Sequence, residues 1–447
     1  MVGIGGIGMS GLAFLLAGTH QKVTGSDIEE NNIIKKLRRK GVTVHIGHDS
    51  RHVKDQGLVV YSSSIREGNP ELVAARKRGV PVISRIELLK AVMDGNETSV
   101  AVCGTHGKTT ITAMASVLLA RAGFDPSVLI GGESPHFGGN AKLGERGVIV
   151  AEVDESDGRF VMLRSTHILM PNLEMEHVEH YESIERLMSA FRRFLGAQSA
   201  ESVFFYNRED ANLRKLARAS EGRVKSFGFS DKADLRAGNI KQAAFRAEFD
   251  CFRKRKKIGH FTLNVPGVHN VLNALSVISL GEELGIDPKT VAAALSSYRG
   301  VKRRFEVVGE VGGAKIVEDY AHHPTEIKAT ISAAFAMKPK RLITVFQPHR
   351  YTRTKSFYKE FSLSFSGSDE VILTDVYAAS ERKIKDAGSR LIYNAMVKKN
   401  APPVKFLEKQ KIPGYLSGKI KAGDLVLVLG AGDIGKTARE VVRIAKK

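Results

Sequence analysis

The segment with the clearest chemistry is Gly104-Thr105-His106-Gly107-Lys108-Thr109-Thr110. It follows an apolar run at 99–102 and opens a stretch of helical apolar spacing over 110–121. In a loop of this kind, backbone N–H groups cradle phosphates, the lysine ammonium reaches the β and γ oxygens, and the next hydroxyl binds Mg2+. The general pattern would place glycine where Val102 stands. A metal on Thr109 also needs a carboxylate. The apolar run at 148–151 ends in Glu152-Val153-Asp154-Glu155-Ser156-Asp157, and Glu152, adjoining the run, is the first choice. The same acids would equally serve to cap the following segment.

A second phosphate signal stands at the start of the chain. Gly3-Ile4-Gly5-Gly6-Ile7-Gly8 is a G-x-G-x-x-G opening a helix, with Asp27 at the distance expected of a ribose-binding acid. The pattern fits a dinucleotide or a UDP-sugar, and also a tight turn without a ligand. Almost no strand precedes these glycines, whereas a βαβ unit opens with a strand of ~5 residues. A start further upstream is therefore expected.

Three further groups could carry chemistry. Glu174, Glu176, His177, Glu179 and His180 are close enough in sequence to bind a divalent ion or to form a solvated acidic turn. His269 and Asn273, four apart, share one helix face, where they could meet a ligand or cap and pack. Glu318 to Glu326 (EDYAHHPTE) and Gln347 to Thr354 (QPHRYTRT) each follow a strand-like run. They fall where open α/β sheets bind ligands, and Arg350 and Arg353 could clamp a carboxylate or phosphate. Thr325 is the expected cap of the helix that follows the first of them. No H-E-x-x-H or cysteine pairing supports zinc. Gly430-Ala431-Gly432-Asp433-Ile434-Gly435 resembles another dinucleotide loop, but the chain ends at Lys447, leaving room for one helix and no further strand.

These residues need elements to hold them. Strands are expected at 21–26, 57–61, 80–83, 99–102, 148–151, 315–317, 341–346, 370–374 and 425–429. Helices are expected at 9–17, 33–40, 110–121, 269–283 and 288–297. Alternating strands and helices imply parallel sheets. At ~150 residues per domain, 447 residues make three domains. Polar junctions at 94–97 and 298–303 divide them as 1–96, 97–299 and 300–447.

Composition narrows the classes. Hydrophobic residues at 43% and charged residues at 26% exclude a disordered or fibrous chain. Two cysteines, Cys103 and Cys251, exclude a disulfide scaffold and a four-cysteine zinc site, and fit a reducing, cytoplasmic setting. No run of ~18 apolar residues is present, so no membrane insertion is expected, and the first residues lack the basic region of a secretory signal. The net charge of +20 points to a polyanionic partner. Nucleic acid is set aside because no nucleic-acid-binding motif accompanies the charge. The one dense basic run, Arg253 to Lys257, lies between strand-like segments and reads as a hairpin tip.

Taken together, these segments resemble the Mur ligases, the ATP-dependent amide-bond ligases of peptidoglycan synthesis. The Gly-Thr-His-Gly-Lys-Thr-Thr form of the loop at 104–110 is itself a signature of that family. Further matching stretches are Gly3 to Gly11, Val60 to Ser63, Glu152 to Asp157, His269 to Ala274, Arg303 to Glu306, Asp319 to Glu326, Gln347 to Thr354, Asp375 to Ala378 and Gly430 to Gly435. The resemblance implies an α/β chain of three domains: N-terminal Rossmann-like, a central P-loop ATPase with a mostly parallel sheet, and C-terminal Rossmann-like. It implies ATP-dependent joining of L-alanine to the carboxylate of UDP-N-acetylmuramate through an acyl phosphate, with Mg2+, by a monomer or homodimer.

Residue by residue, the resemblance places the UDP part on Gly5, Gly6, Ile7, Gly8, Asp27, Ser62 and Ser63. It places nucleotide phosphates on Gly104, Thr105, His106, Gly107, Lys108, Thr109 and Thr110, the metal on Thr109, Glu152 and His177, and the adenine nucleotide on His269 and Asn273. Tyr320, His322, His349, Arg350 and Arg353 would surround the muramoyl carboxylate and the incoming alanine. Arg353 would fix the alanine carboxylate, and His322 or His323 would act as general base. The chain departs from the family pattern Asn-Ile-Glu-Pro-Asp-His-x-Asp at 172–179, where Glu176 and Glu179 replace aspartates and Met175 replaces proline. Three other readings remain at this stage: a sibling ligase that adds a preformed tripeptide, a NAD-dependent oxidoreductase built on the first glycine loop, and a non-catalytic nucleotide sensor.

Overall fold

A computed structural model describes residues 1–399 and 402–444. The chain forms two compact units. The first comprises 1–174, 184–236 and 274–294; the second comprises 175–183, 237–273 and the residues from 295 onward.

In the first unit the glycine loop at 3–8 leads directly into the helix Ile7–Gly18. The strand expected before it is reduced to Val2, which bridges in parallel to Ser26 on one side and Tyr61 on the other. Val2 thereby joins the parallel pairs Thr24–Asp27 with Thr43–Ile46 and Val59–Tyr61 with Val82–Ser84. The first of these strands begins later than expected because residues 19–21 still close the preceding helix, the Gln21 N–H donating to the Leu16 carbonyl. Asn140 donates to the Ile7 carbonyl at 2.7 Å, and a Cβ at Gly11 would sit 2.9 Å from the Leu129 side chain. Close packing therefore fixes the helix that carries the first glycine loop.

The larger sheet of this unit runs in the order Arg223–Gly228, Val203–Asn207, His167–Met170, Thr98–Val102, Val148–Glu152, Ser127–Ser134 and Gly139–Lys142. Its strands are parallel except for the antiparallel last pair. Val102 is level with Glu152 on one side and Leu169 on the other. This register brings three loops to one edge, where an open sheet binds ligands. The helix Lys108–Arg121 is buried along almost its whole length.

The second unit holds a six-stranded sheet in the order Glu306–Val311, Ala314–Asp319, Asp424–Leu429, Arg341–Phe346, Glu370–Leu373 and Val404–Phe406. Only the first pair is antiparallel. Separate apolar cores cover its two faces, one centred on Phe346, Phe361 and Phe365 and the other on Ile343, Val426 and Ile434. Asp319, Leu429, Phe346 and Leu373 are level in register, so both expected clusters emerge at one edge. The basic run 253–257 does form the tip of a hairpin, between Arg246–Arg253 and Lys256–Leu263. No described helix is long and apolar enough to cross a membrane.

The loop at 430–435 is filled by the chain itself. Arg303 donates to the carbonyls of Gly430 and Gly432 at 2.8 Å and to buried Glu318 at 2.7 Å. Gln347 accepts from the Ile434 N–H and donates to Asp433, which Lys409 also pairs. These contacts satisfy the start of the helix Ile434–Ile444. A Cβ at Gly435 would collide with the Glu318 carboxylate, which Arg303 and Arg439 hold from either side. Gly435→Ala is expected to lower stability by about 1–3 kcal/mol, measured by urea denaturation.

Candidate active site

The phosphate loop takes its shape from two left-handed glycines. Gly104 has φ 103°, and a Cβ there would lie 2.5 Å from the Asn172 carbonyl; Gly107 has φ 84° and caps the helix. Segment 172–174 clamps the loop from below. The His106 N–H donates to the Asn172 side chain at 2.7 Å, and Thr105 exchanges hydrogen bonds with the Glu174 backbone. The Thr109 hydroxyl donates to Glu152 Oε1 at 3.1 Å, while Glu152 Oε2 accepts from the Gly131 N–H at 2.8 Å. Two hard oxygen donors thus converge at the helix start, the ligand type that suits Mg2+.

Lys108 is already engaged. Its ammonium lies 2.8 and 3.0 Å from the two oxygens of Glu155 and 2.5 Å from the Gly104 carbonyl. Asp154, beside Glu155, pairs at 3.1 Å with Arg85, and the Arg85 guanidinium lies against Gly8 of the first glycine loop. That loop is also tied down. Asp27 accepts from the Gly5 N–H at 2.8 Å and the Ile28 N–H at 2.8 Å, so the acid expected at a ribose shapes the loop in this structure. Ser62 and Ser64 are 3.2 Å apart at the next strand end, and Ser63 is exposed.

The remaining expected residues lie in the second unit. Arg353 is buried and donates through Nε and Nη2 to Glu176 Oε1 at 2.9 and 2.7 Å, and through Nη1 to His349 Nδ1 at 3.0 Å. Arg350, at φ 69°, donates to Glu179 at 2.5 Å. Glu381 satisfies the start of the helix Tyr351–Ser362 by accepting from Tyr351 and Thr352. His349 stacks on Tyr377 and meets His322 edge-on at 5.8 Å. The guanidinium groups of Arg303 and Arg304 each lie over the Tyr320 ring, 4.8 and 4.9 Å from its centre. His269 is exposed, whereas Asn273 is buried and donates to Asn270, itself bonded to the Pro266 carbonyl.

The two histidines at 322 and 323 differ. His322 Nδ1 lies 3.0 Å from the Tyr320 carbonyl and 3.2 Å from Glu326. Both are acceptors, so Nδ1 carries the proton and Nε2 keeps its lone pair. His323 is the helix cap instead of Thr325: its Nδ1 accepts from the Thr325 N–H, and Glu326 completes a capping box. Burial pushes the His322 pKa down to about 4 and that of His349 to about 2, so both rings are neutral at pH 7. Burial alone would raise the Glu176 carboxyl. Arg353, with His322, His177 and His323 behind it, more than offsets this and holds it well below the ordinary carboxylate range.

Family models match three successive stretches: the Mur ligase family catalytic domain at residues 1–97, the Mur ligase middle domain at 102–281, and the Mur ligase glutamate ligase domain at 303–432. The chain is a Mur ligase. It is 40% identical to the UDP-N-acetylmuramate–L-alanine ligase of Myxococcus xanthus, over 100% of this chain and 94% of that protein. It is 39% identical to the one from Geotalea daltonii, over 99% and 96%. Among solved structures, UDP-N-acetylmuramate–alanine ligase from Thermotoga maritima superposes with a TM-score of 0.85 at 30% identity, covering 100% of this chain and 98% of that one. A murein peptide ligase from Psychrobacter arcticus shares the fold, with a TM-score of 0.74 at 24% identity over 99% and 98%.

In this Mur ligase, sequence reasoning missed Glu155 and Glu381. Glu155 stood in view within the acid run after the strand, but which acid of a turn faces inward depends on the loop's path. Glu381 carries no local signal, because it acts on residues thirty positions away. The buried Glu176–Arg353 pair offers a stability test. Arg353→Met is expected to cost about 3–5 kcal/mol by leaving Glu176 buried without its main partner, and Glu176→Met in the same chain to recover most of it. Because the folded carboxyl is depressed, the penalty is full at pH 7 and shrinks as pH falls below about 4. Chemical denaturation of both variants at several pH values measures it.

Proposed function

We propose that this Mur ligase joins L-alanine to the carboxylate of UDP-N-acetylmuramate with ATP, giving UDP-N-acetylmuramoyl-L-alanine, ADP and phosphate, a step of peptidoglycan synthesis in the cytoplasm. The reading rests on full-length identity of about two residues in five to proteins of that name, joined to a phosphate loop whose Lys108, Thr109 and Glu152 are already assembled. The oxidoreductase reading leaves those three residues without work. The domains are taken as 1–96 for the UDP-sugar, 97–299 for ATP and 300–447 for the amino acid.

A muramoyl carboxylate oxygen attacks the γ-phosphorus, the bond to the ADP oxygen breaks, and an acyl phosphate forms. The loop N–H groups and Lys108 stabilise the transferring phosphoryl group. Thr109 and Glu152, with His177, would hold Mg2+, which supplies charge neutralisation at the phosphates when bound. The neutral alanine amine then attacks the acyl carbon, and phosphate leaves with the former carboxylate oxygen.

His322 is the better base of the two candidates, since its Nε2 lone pair is oriented by the Nδ1 contacts to Tyr320 and Glu326 while His323 serves as a helix cap. Arg350 and Arg353 are the guanidinium groups for the carboxylates, and in that role each must part from Glu179 and Glu176. His269 and Asn273 are assigned to the adenine nucleotide. Gly5, Gly6, Ile7, Gly8, Asp27, Ser62 and Ser63 are assigned to the UDP part, with Asp27 shaping the loop.

Two experiments test this. Muramoyl carboxylate labelled with heavy oxygen should pass one labelled atom into the released phosphate; unlabelled phosphate would exclude the acyl phosphate. Lys108→Ala should lower turnover at least ~1,000-fold while calorimetric affinity for UDP-N-acetylmuramate stays within about twofold. Retained turnover would remove Lys108 from the chemistry.

A further inference from the structure

The proposed role of Lys108 gives its present partner a consequence. An ammonium has three donors and no acceptor. Here it donates to both oxygens of Glu155 and to the carbonyls of Gly104 and Thr105. Glu155 is 2% exposed, and its own backbone is fixed by the Gly158 N–H donating to its carbonyl. It follows the strand that carries Glu152, so it cannot drift far from the loop. Asp154 and Glu152 add further negative charge nearby. These contacts hold the lysine aimed along the loop.

We propose that Glu155 is a positioning residue and charge latch: it holds the Lys108 ammonium within the phosphate loop and competes with nucleotide phosphate for it. The inference rests on the ATP-binding reading above. Two effects of opposite sign follow. Before nucleotide binds, Glu155 stabilises the protein, because it compensates a buried cation. When phosphate arrives, the same carboxylate weakens binding. It must yield part of the ammonium, and it places a negative charge beside an anionic ligand.

Glu155→Gln keeps the shape and removes the charge. The expected result is a lower melting temperature without ligand, together with about tenfold tighter binding of ADP and of a non-hydrolysable ATP analogue. That factor is the scale of one hydrogen bond to a charged group. Calorimetry with Mg2+ measures the affinity, and the ligand-induced rise in melting temperature should be larger than in the wild type. A merely structural glutamate would lower stability and affinity together. Weaker nucleotide binding, or binding unchanged within about twofold, would therefore overturn the latch. Should Glu155→Gln not fold, Glu155→Asp, one methylene shorter, must move affinity in the same direction by a smaller factor, and weaker or unchanged binding there counts equally against it. A wild-type protein that binds neither nucleotide would overturn the ATP reading itself, and the latch with it.

Discussion

A cation buried in a protein must have an anion beside it, and this constraint organises both groups of candidate residues. The positive side chains proposed to receive phosphates and carboxylates, and Arg85 beside the first glycine loop, are each held by an acid of the same chain. Lys108 is held by Glu155, Arg353 by Glu176, Arg350 by Glu179, and Arg85, against the first glycine loop, by Asp154. In a chain of net charge +20 the acids are the scarcer resource, and several of them stand where an anionic substrate group would otherwise be needed. Under the roles proposed for Lys108, Arg350 and Arg353, substrate binding would be an exchange of partners rather than the filling of an empty charged pocket. An exchange is weaker than simple neutralisation, and it keeps the site folded between turnovers.

The backbone makes that exchange local. Each acid or cation lies on the loop or helix start that follows a parallel strand. Register brings Val102, Glu152 and Leu169 level in one sheet, and Asp319, Phe346, Leu373 and Leu429 level in the other. Because the strands are buried on both faces, a slip of one residue would expose apolar side chains. The packing that stabilises the sheets thus also fixes the level at which the polar loops begin. The loops contribute their own constraint. Gly104 and Gly107 adopt left-handed backbone, and the Asn172 to Glu174 segment seals the phosphate loop with side-chain and main-chain bonds.

Much of this was legible in the sequence. The phosphate loop, Glu152 on its strand end, and the two clusters after 315–317 and 341–346 follow from short apolar runs ending in polar residues. That pattern reports local geometry. The parallel sheets and the Arg253–Lys257 hairpin tip were legible for the same reason. What was not legible depends on which side chain turns toward which. Asp27 meets the Gly5 N–H rather than standing apart from the loop. His323 caps a helix in place of Thr325, and Arg353 spends its fork on Glu176. The strand before the first glycines is as short as the sequence suggests, but that Val2 alone supplies bridges to both neighbours was not readable there. Apart from the local His323 cap, such pairings span tens to hundreds of positions, and residue spacing along the chain does not encode them.

The most direct measurement is phosphate release from ATP with Mg2+ and UDP-N-acetylmuramate, comparing L-alanine, the preformed tripeptide and no acceptor. The account expects release that requires both the UDP-sugar and L-alanine. Release only with the tripeptide, or release indifferent to the acceptor, would contradict it.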